Sequence, residues 1–244
     1  MQNGISIITP CFNSEKTIAR TLESVLSQTY TNYEYIIIDG GSSDSTVRII
    51  RDYEERFDGK LRYISEKDNG IYDAMNKGIK MSTGEIVGIV NSDDFYEPDC
   101  LENVMAAYHP ETKYQIIYGA LRIINEHGEE LQIILNSHHA LPEIVLMHPS
   151  SFVSRTIYQD MSMYDTKYRY SSDYDFMIKV KQSERVSFYP VYKILSNFQV
   201  GGASYTKEAA LETNEIRYKY GCCSKKKYTW VKTVGMFKIL FHLK

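Results

Sequence analysis

The sequence predicts an α/β fold: a mostly parallel sheet flanked by helices, followed by a mixed second half and a C-terminal amphipathic helical tail. Three observations predict this architecture. Strand-like apolar runs alternate with helix-period segments over residues 1–97. Shorter strand-like runs joined by a hairpin turn follow them. After Ile216 the composition changes, because acidic residues disappear while basic residues continue.

The first half contains four predicted strands, over residues 5–9, 33–39, 61–65 and 85–91. A helix-period segment fills each gap, and each carries one apolar face that predicts packing against the sheet. The apolar positions are Ile18, Leu22, Val25 and Leu26 in the first segment, Val47, Ile50 and Phe57 in the second, and Ile71, Met75 and Ile79 in the third. This alternating order indicates a parallel sheet with right-handed crossovers.

The second half begins with a predicted helix over residues 98–108. Predicted strands over 121–124 and 131–135 then flank a turn at 125–128, which is typical of an antiparallel hairpin. No Pro/Gly-rich linker interrupts the chain before the change in composition. We therefore predict one domain over residues 1–215 and a tail over 216–244.

Charge is unevenly distributed along the chain. The net charge is −3, but residues 216–244 carry eight basic and no acidic residues, which leaves −11 on the remainder. A nucleic-acid-binding protein normally presents a basic stripe on its folded body, so this class is disfavoured. Four cysteines without metal-ligand spacing, and no leader or membrane-spanning run, predict a cytoplasmic protein with reduced thiols.

Polar residues follow each of the four predicted parallel strands. Ligands of such sheets bind beyond the carboxyl ends of the strands, so we expect these residues to line one crevice. They are Thr9-Pro10, Asp39-Gly40-Gly41-Ser42, Glu66-Lys67-Asp68-Asn69-Gly70 and Asn91-Ser92-Asp93-Asp94. Neither a dinucleotide-binding glycine fingerprint nor a P-loop occurs, so a diphosphate would have to be held in another way.

Asp93 and Asp94 come directly after the fourth predicted strand. Carboxylate oxygens are hard ligands that suit Mg²⁺ or Mn²⁺ bridging a diphosphate. An Asp pair in such a loop is also common as a plain turn or helix cap. From the residues alone, both interpretations stay open.

Four motifs over residues 6–97 together resemble the nucleotide-binding half of glycosyltransferase family 2, which has the GT-A, Rossmann-like fold. They are Ile7-Ile8-Thr9-Pro10-Cys11-Phe12-Asn13, Asp39-Gly40-Gly41-Ser42-Ser43-Asp44-Ser45-Thr46, the run from Glu66 to Gly78, and Asn91-Ser92-Asp93-Asp94 at the D-x-D position. The third motif is similar to versions in bacterial O-antigen, capsular and exopolysaccharide glycosyltransferases. The resemblance implies that 1–97 binds a nucleotide sugar and 98–215 receives the acceptor.

By this resemblance, Pro10 and Asn13 line the nucleoside pocket, Asp39 accepts the uracil N3–H, Asp68 lies near the ribose or sugar, and Asp93 coordinates the metal. Asn91 stands where many relatives have the first Asp of D-x-D, which weakens the expected metal site without removing it. The full set of predicted donor-binding residues is Thr9, Pro10, Phe12, Asn13, Asp39, Gly41, Ser42, Asp68, Asn69, Gly70, Asn76, Asn91, Ser92 and Asp93.

An acceptor hydroxyl is a poor nucleophile, so transfer needs a carboxylate that takes its proton. Ser172-Asp173-Tyr174-Asp175 resembles the family stretch that supplies this base, which favours Asp173 over Asp175. Ser172 replaces the usual Glu, so Asp173 is expected to act unassisted. Both aspartates could instead be solvated residues at a helix start. A single displacement of this kind inverts the anomeric centre.

Further acceptor or diphosphate contacts are predicted for four residues: Asp94, His148, Ser172 and Asp175. His148, beside Pro149, could equally be a hydrogen-bonded structural residue. Gly201-Gly202-Ala203-Ser204 resembles a loop that closes over the donor in relatives.

The tail carries Trp230, Val234, Phe237 and Phe241 at helical spacing, preceded by the basic run 225–227. Such a helix either packs on the body or docks on an anionic membrane, and the unneutralised lysines favour the membrane.

These features together predict a metal-dependent inverting glycosyltransferase on the inner face of the cytoplasmic membrane. It would move a hexose or N-acetylhexosamine from a UDP-sugar to a saccharide or undecaprenyl-diphosphate-linked acceptor, in bacterial surface polysaccharide synthesis. Two alternatives are a non-catalytic nucleotide-sugar-binding scaffold and a nucleotidyltransferase of similar architecture. The second normally has a Gly-rich basic loop after the first strand, which residues 9–16 do not provide.

Overall fold

The computed structural model describes residues 4–202 and 206–240, and among these the side chains of all but 235–240. Nine strands of the described residues form one sheet in the order β3-β2-β1-β4-β8-β6-β9-β5, with β7 paired to β6. Helices pack on both faces. The predicted α/β fold is therefore confirmed.

The parallel half consists of β1 Ile5–Cys11, β2 Tyr33–Asp39, β3 Leu61–Ser65 and β4 Ile86–Ile89. β1 pairs in parallel with both β2 and β4, and β2 with β3. Every residue of β1 and β2 is buried, as expected for strands covered on both faces. The four predicted strands are confirmed, although β1 extends two residues further and β4 is shorter at both ends.

Alternate residues of the central strands form two separate cores. Ile8 of β1 and Ile36 of β2 pack with Met75 on one face, while Ile7 and Tyr35 belong to the core on the other. This alternation follows from the two-residue period of a β-strand. The sheet therefore separates α3 and α6 from α1, α2 and α4.

The helices of the first half are α1 Ile18–Leu26, α2 Thr46–Tyr53 and α3 Ile71–Met81. Two details of the predicted helix faces were wrong. Phe57 is buried, but it lies in a short 3₁₀-helix, Glu55–Phe57, after α2 has ended. Ile71 is 40% exposed because it is the first residue of α3 and borders a cleft instead of the core.

The second half is mixed, as predicted. It contains β5 Phe95–Tyr96, α4 Cys100–Ala106, β6 Gln115–Ile124, β7 Glu130–Ile134, β8 Ser151–Ser154, α5 Arg155–Asp160, α6 Ser172–Gln182 and β9 Ser187–Gln199. β8 runs antiparallel to both β4 and β6, whereas β9 runs parallel to β6. The predicted hairpin turn joins β6 to β7, where Asn125 accepts hydrogen bonds from the backbone of His127 and Glu129.

The chain continues with α7 Lys207–Lys219 and α8 Lys225–Leu240. α7 runs across the predicted boundary at residue 216, and Ile216 is fully buried in the core with α6. The change in composition therefore falls inside a packed helix. The first of the basic residues that produce it lie on α7 beside the buried Ile216, so the change does not mark the end of the folded core.

The predicted tail helix is present as α8, which contacts α7 through stacking of Tyr228 on Tyr218. Trp230 is 66% exposed, and Lys225, Lys226 and Lys227 are exposed beside it. Val231 lies about 100° around the helix from Trp230, so the apolar residues of α8 are not confined to the predicted stripe. The side chain of Phe237 and all of Phe241 lie outside the described residues. No helix in the described part of the chain is long and apolar enough to cross a membrane.

Candidate active site

The loops that follow β1 and β2 are joined by Asn13. Its backbone N–H donates to Ser42 Oγ (2.7 Å), and its Oδ1 accepts from the Ser43 N–H (2.9 Å). Asn13 adopts a left-handed backbone (φ 49°) that Asn tolerates better than most residues. Phe12 is 61% exposed beside it. The structure thus places three predicted donor residues, Phe12, Asn13 and Ser42, on one surface.

Thr9 and Pro10 differ from this group because both lie within β1 and are buried. The Thr9 hydroxyl is bonded to Tyr35 Oη in the core (2.9 Å). Thr9 therefore supports the strand from within the core, and its contact with the donor stays a prediction. The β1 strand simply extends to Cys11, two residues beyond its predicted end.

Asp39 ends β2 and is fully buried. Its Oδ2 accepts from Ser65 Oγ (2.6 Å), Ser42 N–H (3.0 Å) and Gly41 N–H (3.2 Å). Its Oδ1 accepts from the Ser42 hydroxyl. The predicted contact with a base N–H would therefore require one of these donors to turn away, and the rotatable Ser42 hydroxyl can do so most easily.

The loop after β3 packs on the loop after β2 through Asp68. Its Oδ1 accepts from the Gly70 N–H (2.9 Å), which holds the turn into α3. A Cβ atom at Gly40 would lie 2.6 Å from Asp68 Oδ2. Gly40 is therefore needed for this close approach, and sequence reasoning selected only its neighbour Gly41. The adjacent glycines Gly40 and Gly41 are the feature of the sequence that indicates a close approach at this position.

The loop after β4 is tied to the first loop, because the hydroxyls of Ser92 and Ser14 lie 2.7 Å apart. All four loops thus meet at the carboxyl edge of the parallel strands, as predicted. Asp94 is fully buried and accepts from the Gln199 N–H (3.1 Å) and the Asn91 side-chain amide (3.0 Å). Burial, together with the charge of Asp93, raises the pKa of Asp94 well above its ordinary value. Asp94 therefore anchors the loop to β9, which differs from its predicted role as a ligand contact.

Asp93 is partly exposed next to this anchor, and burial raises its pKa although the charge of Arg20 opposes the shift. A Cβ atom at Gly202 would lie 3.4 Å from Asp93 Oδ2, so Gly202 lies beside this carboxylate. Ala203 and Ser204 of the predicted loop lie outside the described residues. Arg20 donates to the Asp93 carbonyl (2.6 Å) and stacks on Phe95 (4.5 Å), a contact that sequence reasoning missed.

The residues present fit a divalent metal only as part of a shared site. Within the described ranges, no three His, Cys, Asp or Glu side chains are grouped closely enough to hold an ion. However, the buried Oδ1 of Asn91 has no hydrogen-bond partner there, and it is two residues from Asp93. Mg²⁺ is commonly bound by one or two carboxylates together with substrate phosphates and waters. Asp93 and Asn91 suit that arrangement.

Asp173 lies in the first turn of α6 and is partly exposed. The Tyr72 hydroxyl, from the first turn of α3, donates to Asp173 Oδ1 (2.8 Å). The expectation that Asp173 acts unassisted was therefore wrong, because the partner comes from a distant segment instead of the adjacent position. Ser172 is fully buried, and its hydroxyl has no partner among the described residues.

Asp175 is only 1% exposed and forms ion pairs with Lys219 (2.6 Å) and Lys179 (2.8 Å). The Tyr220 hydroxyl also donates to it (3.0 Å). Burial alone would raise the pKa of Asp175, but the hydrogen bonds from Lys179 and Lys219 lower it overall. A carboxylate held in this way is a structural ion pair, so the geometry favours Asp173 as the base.

His148 and Asn76 are both buried. His148 lies in a short 3₁₀-helix, His148–Ser150, and burial lowers its pKa although the charge of Asp173 opposes this. The Asn76 side-chain amide bonds the backbone of Tyr164, donating to the carbonyl (2.8 Å) and accepting from the N–H (3.1 Å). Asn76 thus joins the two halves of the chain, and its contact with the donor stays a prediction.

A cleft of about 360 Å³ opens beside Tyr72. Asn69 and Gly70 of the third loop form one wall, and Tyr168 and Arg169 form the other. The predicted donor residues Asn69 and Gly70 therefore share a cavity with the segment that precedes α6. A sugar bound near Asp68 and a second molecule bound near Asp173 could both reach it.

The fold and these loops define an α/β protein whose candidate site lies at the carboxyl edge of its parallel strands. The model of glycosyl transferase family 2 matches residues 6–172, so the chain belongs to this family. The sequence is 27% identical to chondroitin synthase from Escherichia coli over 251 residues, which cover 93% of this chain but only 36% of that protein. The chain thus spans about a third of that relative.

Solved structures confirm the GT-A fold. S. aureus TarS in complex with UDP-GlcNAc superposes with a TM-score of 0.65 at 21% identity, covering 88% of this chain and 65% of TarS. The mannosyltransferase PcManGT from Pyrobaculum calidifontis, in complex with GDP-Man and Mn²⁺, gives 0.67 at 17% identity, covering 98% and 71%. At these identities the likeness concerns the fold.

Proposed function

We propose that this glycosyltransferase moves a hexose or N-acetylhexosamine from a UDP-sugar to a hydroxyl group of a saccharide acceptor, with inversion, during bacterial surface polysaccharide synthesis. The observation that carries the proposal is the position of Asp173. It borders, through Tyr72, the cleft that Asn69 and Gly70 of the third loop also line. The UDP-GlcNAc complex of TarS and the relationship to chondroitin synthase support the choice of donor and product.

The reaction is a single displacement. The acceptor oxygen forms a bond to the anomeric carbon while the bond from that carbon to the diphosphate oxygen breaks. The diphosphate leaves with the electron pair, and the acceptor proton passes to the Asp173 carboxylate. Because attack and departure occur on opposite faces, an α-linked donor gives a β-linked product.

We further propose that Asp93 and Asn91 hold a Mn²⁺ or Mg²⁺ ion together with the donor phosphates. When bound, the ion stabilises the negative charge that develops on the leaving diphosphate. Asp94 and Arg20 keep the loop in place, by binding Gln199 and the Asp93 carbonyl respectively. The Mn²⁺ in the PcManGT complex supports a metal in this fold family.

A panel of UDP-, GDP- and dTDP-sugars tests this function, with saccharide acceptors and with Mn²⁺, Mg²⁺ or EDTA. We expect acceptor-dependent release of UDP, loss of release with EDTA, and a β-linked product by NMR. Asp173→Asn should be inactive, whereas Asp52→Asn, an exposed control outside the site, should behave as wild type. Nucleotide binding without turnover for any donor would instead indicate a scaffold protein.

We also propose that the protein works at the inner face of the cytoplasmic membrane on a lipid-linked acceptor, such as an undecaprenyl-diphosphate saccharide. The support is the exposed Trp230 beside Lys225 and Lys226 on α8. Lysines attract anionic headgroups, and tryptophan prefers the interfacial region.

Vesicle co-sedimentation tests this placement. Lys226→Glu/Lys227→Glu should lose binding to vesicles with anionic lipid, and the wild type should not bind neutral vesicles. Lys80→Glu/Lys193→Glu changes the same charge at two other exposed positions and should bind normally. Equal binding by both double variants would contradict the role of α8.

A further inference from the structure

The hydrogen bond between the Tyr72 hydroxyl and Asp173 joins the two halves of the molecule at the reaction centre. Tyr72 lies two residues after Gly70, so its position depends on the loop that borders the donor cleft. Asp173 lies on α6, which belongs to the other half. Its Oδ2 makes no hydrogen bond in the described part of the chain. One carboxylate oxygen is thus held while the other stays available.

We infer that Tyr72 is the positioning residue for the general base of this enzyme: its hydroxyl fixes Asp173 Oδ1 so that Oδ2 faces the acceptor hydroxyl. This inference rests on the proposed function. The family motif around Asp173 places a carboxylate next to the base, whereas this chain has Ser172, whose buried hydroxyl contacts no partner in the described residues. Tyr72 provides the orienting contact from another segment.

The surroundings of Tyr72 make it a rigid donor. It is 6% exposed, and its ring packs against Tyr164 (centroids 5.5 Å apart). The backbone of Tyr164 is clamped by Asn76, one turn along α3 from Tyr72. Burial and the charge of Asp173 raise the pKa of Tyr72 well above its ordinary value. The hydroxyl therefore stays protonated and donates a hydrogen bond to the carboxylate.

Several ionisable groups face this pair. His148 interacts electrostatically with Asp173 from its 3₁₀-helix, and burial keeps it neutral at ordinary pH. The charge of Asp173 also contributes to raising the pKa of Tyr164, and the charge of Glu212 on α7 contributes to raising the pKa of Tyr72. None of these groups donates a hydrogen bond to Asp173 among the described residues, so the Tyr72 hydroxyl is the contact that a substitution can remove selectively.

Tyr72→Phe tests the inference by removing this hydroxyl. We expect kcat to fall about tenfold or more, because the base loses its orientation, while the KM for the donor stays the same. A hydroxyl that served packing alone would change the stability of the protein without this separation between kcat and KM.

Two controls separate positioning from packing. Tyr158→Phe removes another buried hydroxyl, bonded to Tyr164 Oη (3.2 Å) instead of a carboxylate, and should leave kcat nearly unchanged. In an Asp173→Asn background, Tyr72→Phe should cause no further loss, because the two residues act as one unit. An unchanged kcat for Tyr72→Phe, or an additive loss in that background, would overturn the inference. A wild-type chain that turns over no donor would overturn the proposed function, and this inference with it.

Discussion

The proposed donor half, residues 1–97, and the proposed acceptor half, residues 98–215, assemble their candidate site residues in different ways. In the donor half, Asp39 and Asp68 bind mainly groups within their own or neighbouring loops, which follow consecutive strands of one parallel sheet. In the acceptor half, Asp173 is held by Tyr72, which is 101 residues away in the chain. The donor site therefore follows from local motifs, whereas the base depends on how the halves pack.

Asp173→Asn should have the largest effect, and it should lower the rate of sugar transfer without changing donor binding. Asp173→Asn removes the proton acceptor and should reduce kcat about a thousandfold, since general bases contribute roughly 10²–10⁴. Donor affinity should stay unchanged, because Asp173 belongs to the acceptor half. Steady-state kinetics and UDP titration measure the two quantities. A parallel loss of donor affinity would show that the halves do not separate in this way.

Asp93→Ala tests the donor half of this comparison, because Asp93 is the proposed metal ligand. It should reduce kcat/KM about a hundredfold or more, because the metal-held diphosphate supplies several kcal/mol of transition-state stabilisation. Here UDP affinity in the presence of Mn²⁺ should fall as well, unlike in Asp173→Asn. Calorimetric titration with and without Mn²⁺ would reveal this difference. Unchanged Mn²⁺-dependent UDP binding would contradict the assignment of Asp93.

Asp175→Asn should affect stability instead of catalysis. It breaks the ion pairs with Lys179 and Lys219, and we expect a loss of about 2 kcal/mol in the free energy of unfolding at pH 7, less than for fully buried lysines. The pKa of Asp175 is lowered in the folded state, so the pair stabilises above the unfolded pKa of about 4 and its contribution disappears as pH falls below it.

Urea unfolding of wild type and Asp175→Asn at pH 7 and pH 3 measures this difference. The difference between the two proteins should be smaller at the lower pH, because it is lost as pH falls through the lowered pKa of Asp175 in the folded state. Asp173→Asn is the matched control on the same helix, because its partly exposed carboxylate pairs with no lysine in the described residues, and it should unfold nearly as wild type does. A stability difference for Asp175→Asn that is independent of pH would exclude the ion pair as its cause.

Gly40→Ala should give the smallest effect. The added Cβ would lie 2.6 Å from Asp68 Oδ2, so the Asp68 carboxylate must turn away, and we expect donor affinity to fall by about tenfold. In Asp68→Ala, which leaves room for that Cβ, adding Gly40→Ala should cost nothing more. Donor titration of the single and double variants measures this coupling. Independent losses would mean that the loops do not contact through this pair.

Strands and donor loops were predictable because their signals are local. The apolar runs of β2 and β3 are bounded by polar residues at their ends, and both strands were predicted with the observed limits. Roles were harder to predict than positions. Asn76 and Asp94 stand in the expected helix and loop, but their polar groups bond to Tyr164 and Gln199, whereas Thr9 lies within β1 and bonds to Tyr35. A local sequence pattern does not predict a hydrogen-bond partner that is so distant in the chain.

The sequence by itself determined the order of strands and helices in the first half and the edge at which the polar loops meet, because hydrophobic periodicity and the residues at strand ends are properties of short segments. The candidate base came from the resemblance of residues 172–175 to a family motif. Only the tertiary structure decided that Asp173 has a partner in Tyr72, that Asp175 is paired with lysines, and that a side chain at Gly40 would meet Asp68. These facts depend on distances between segments that are remote in the chain, and such distances are fixed only when the two halves pack together.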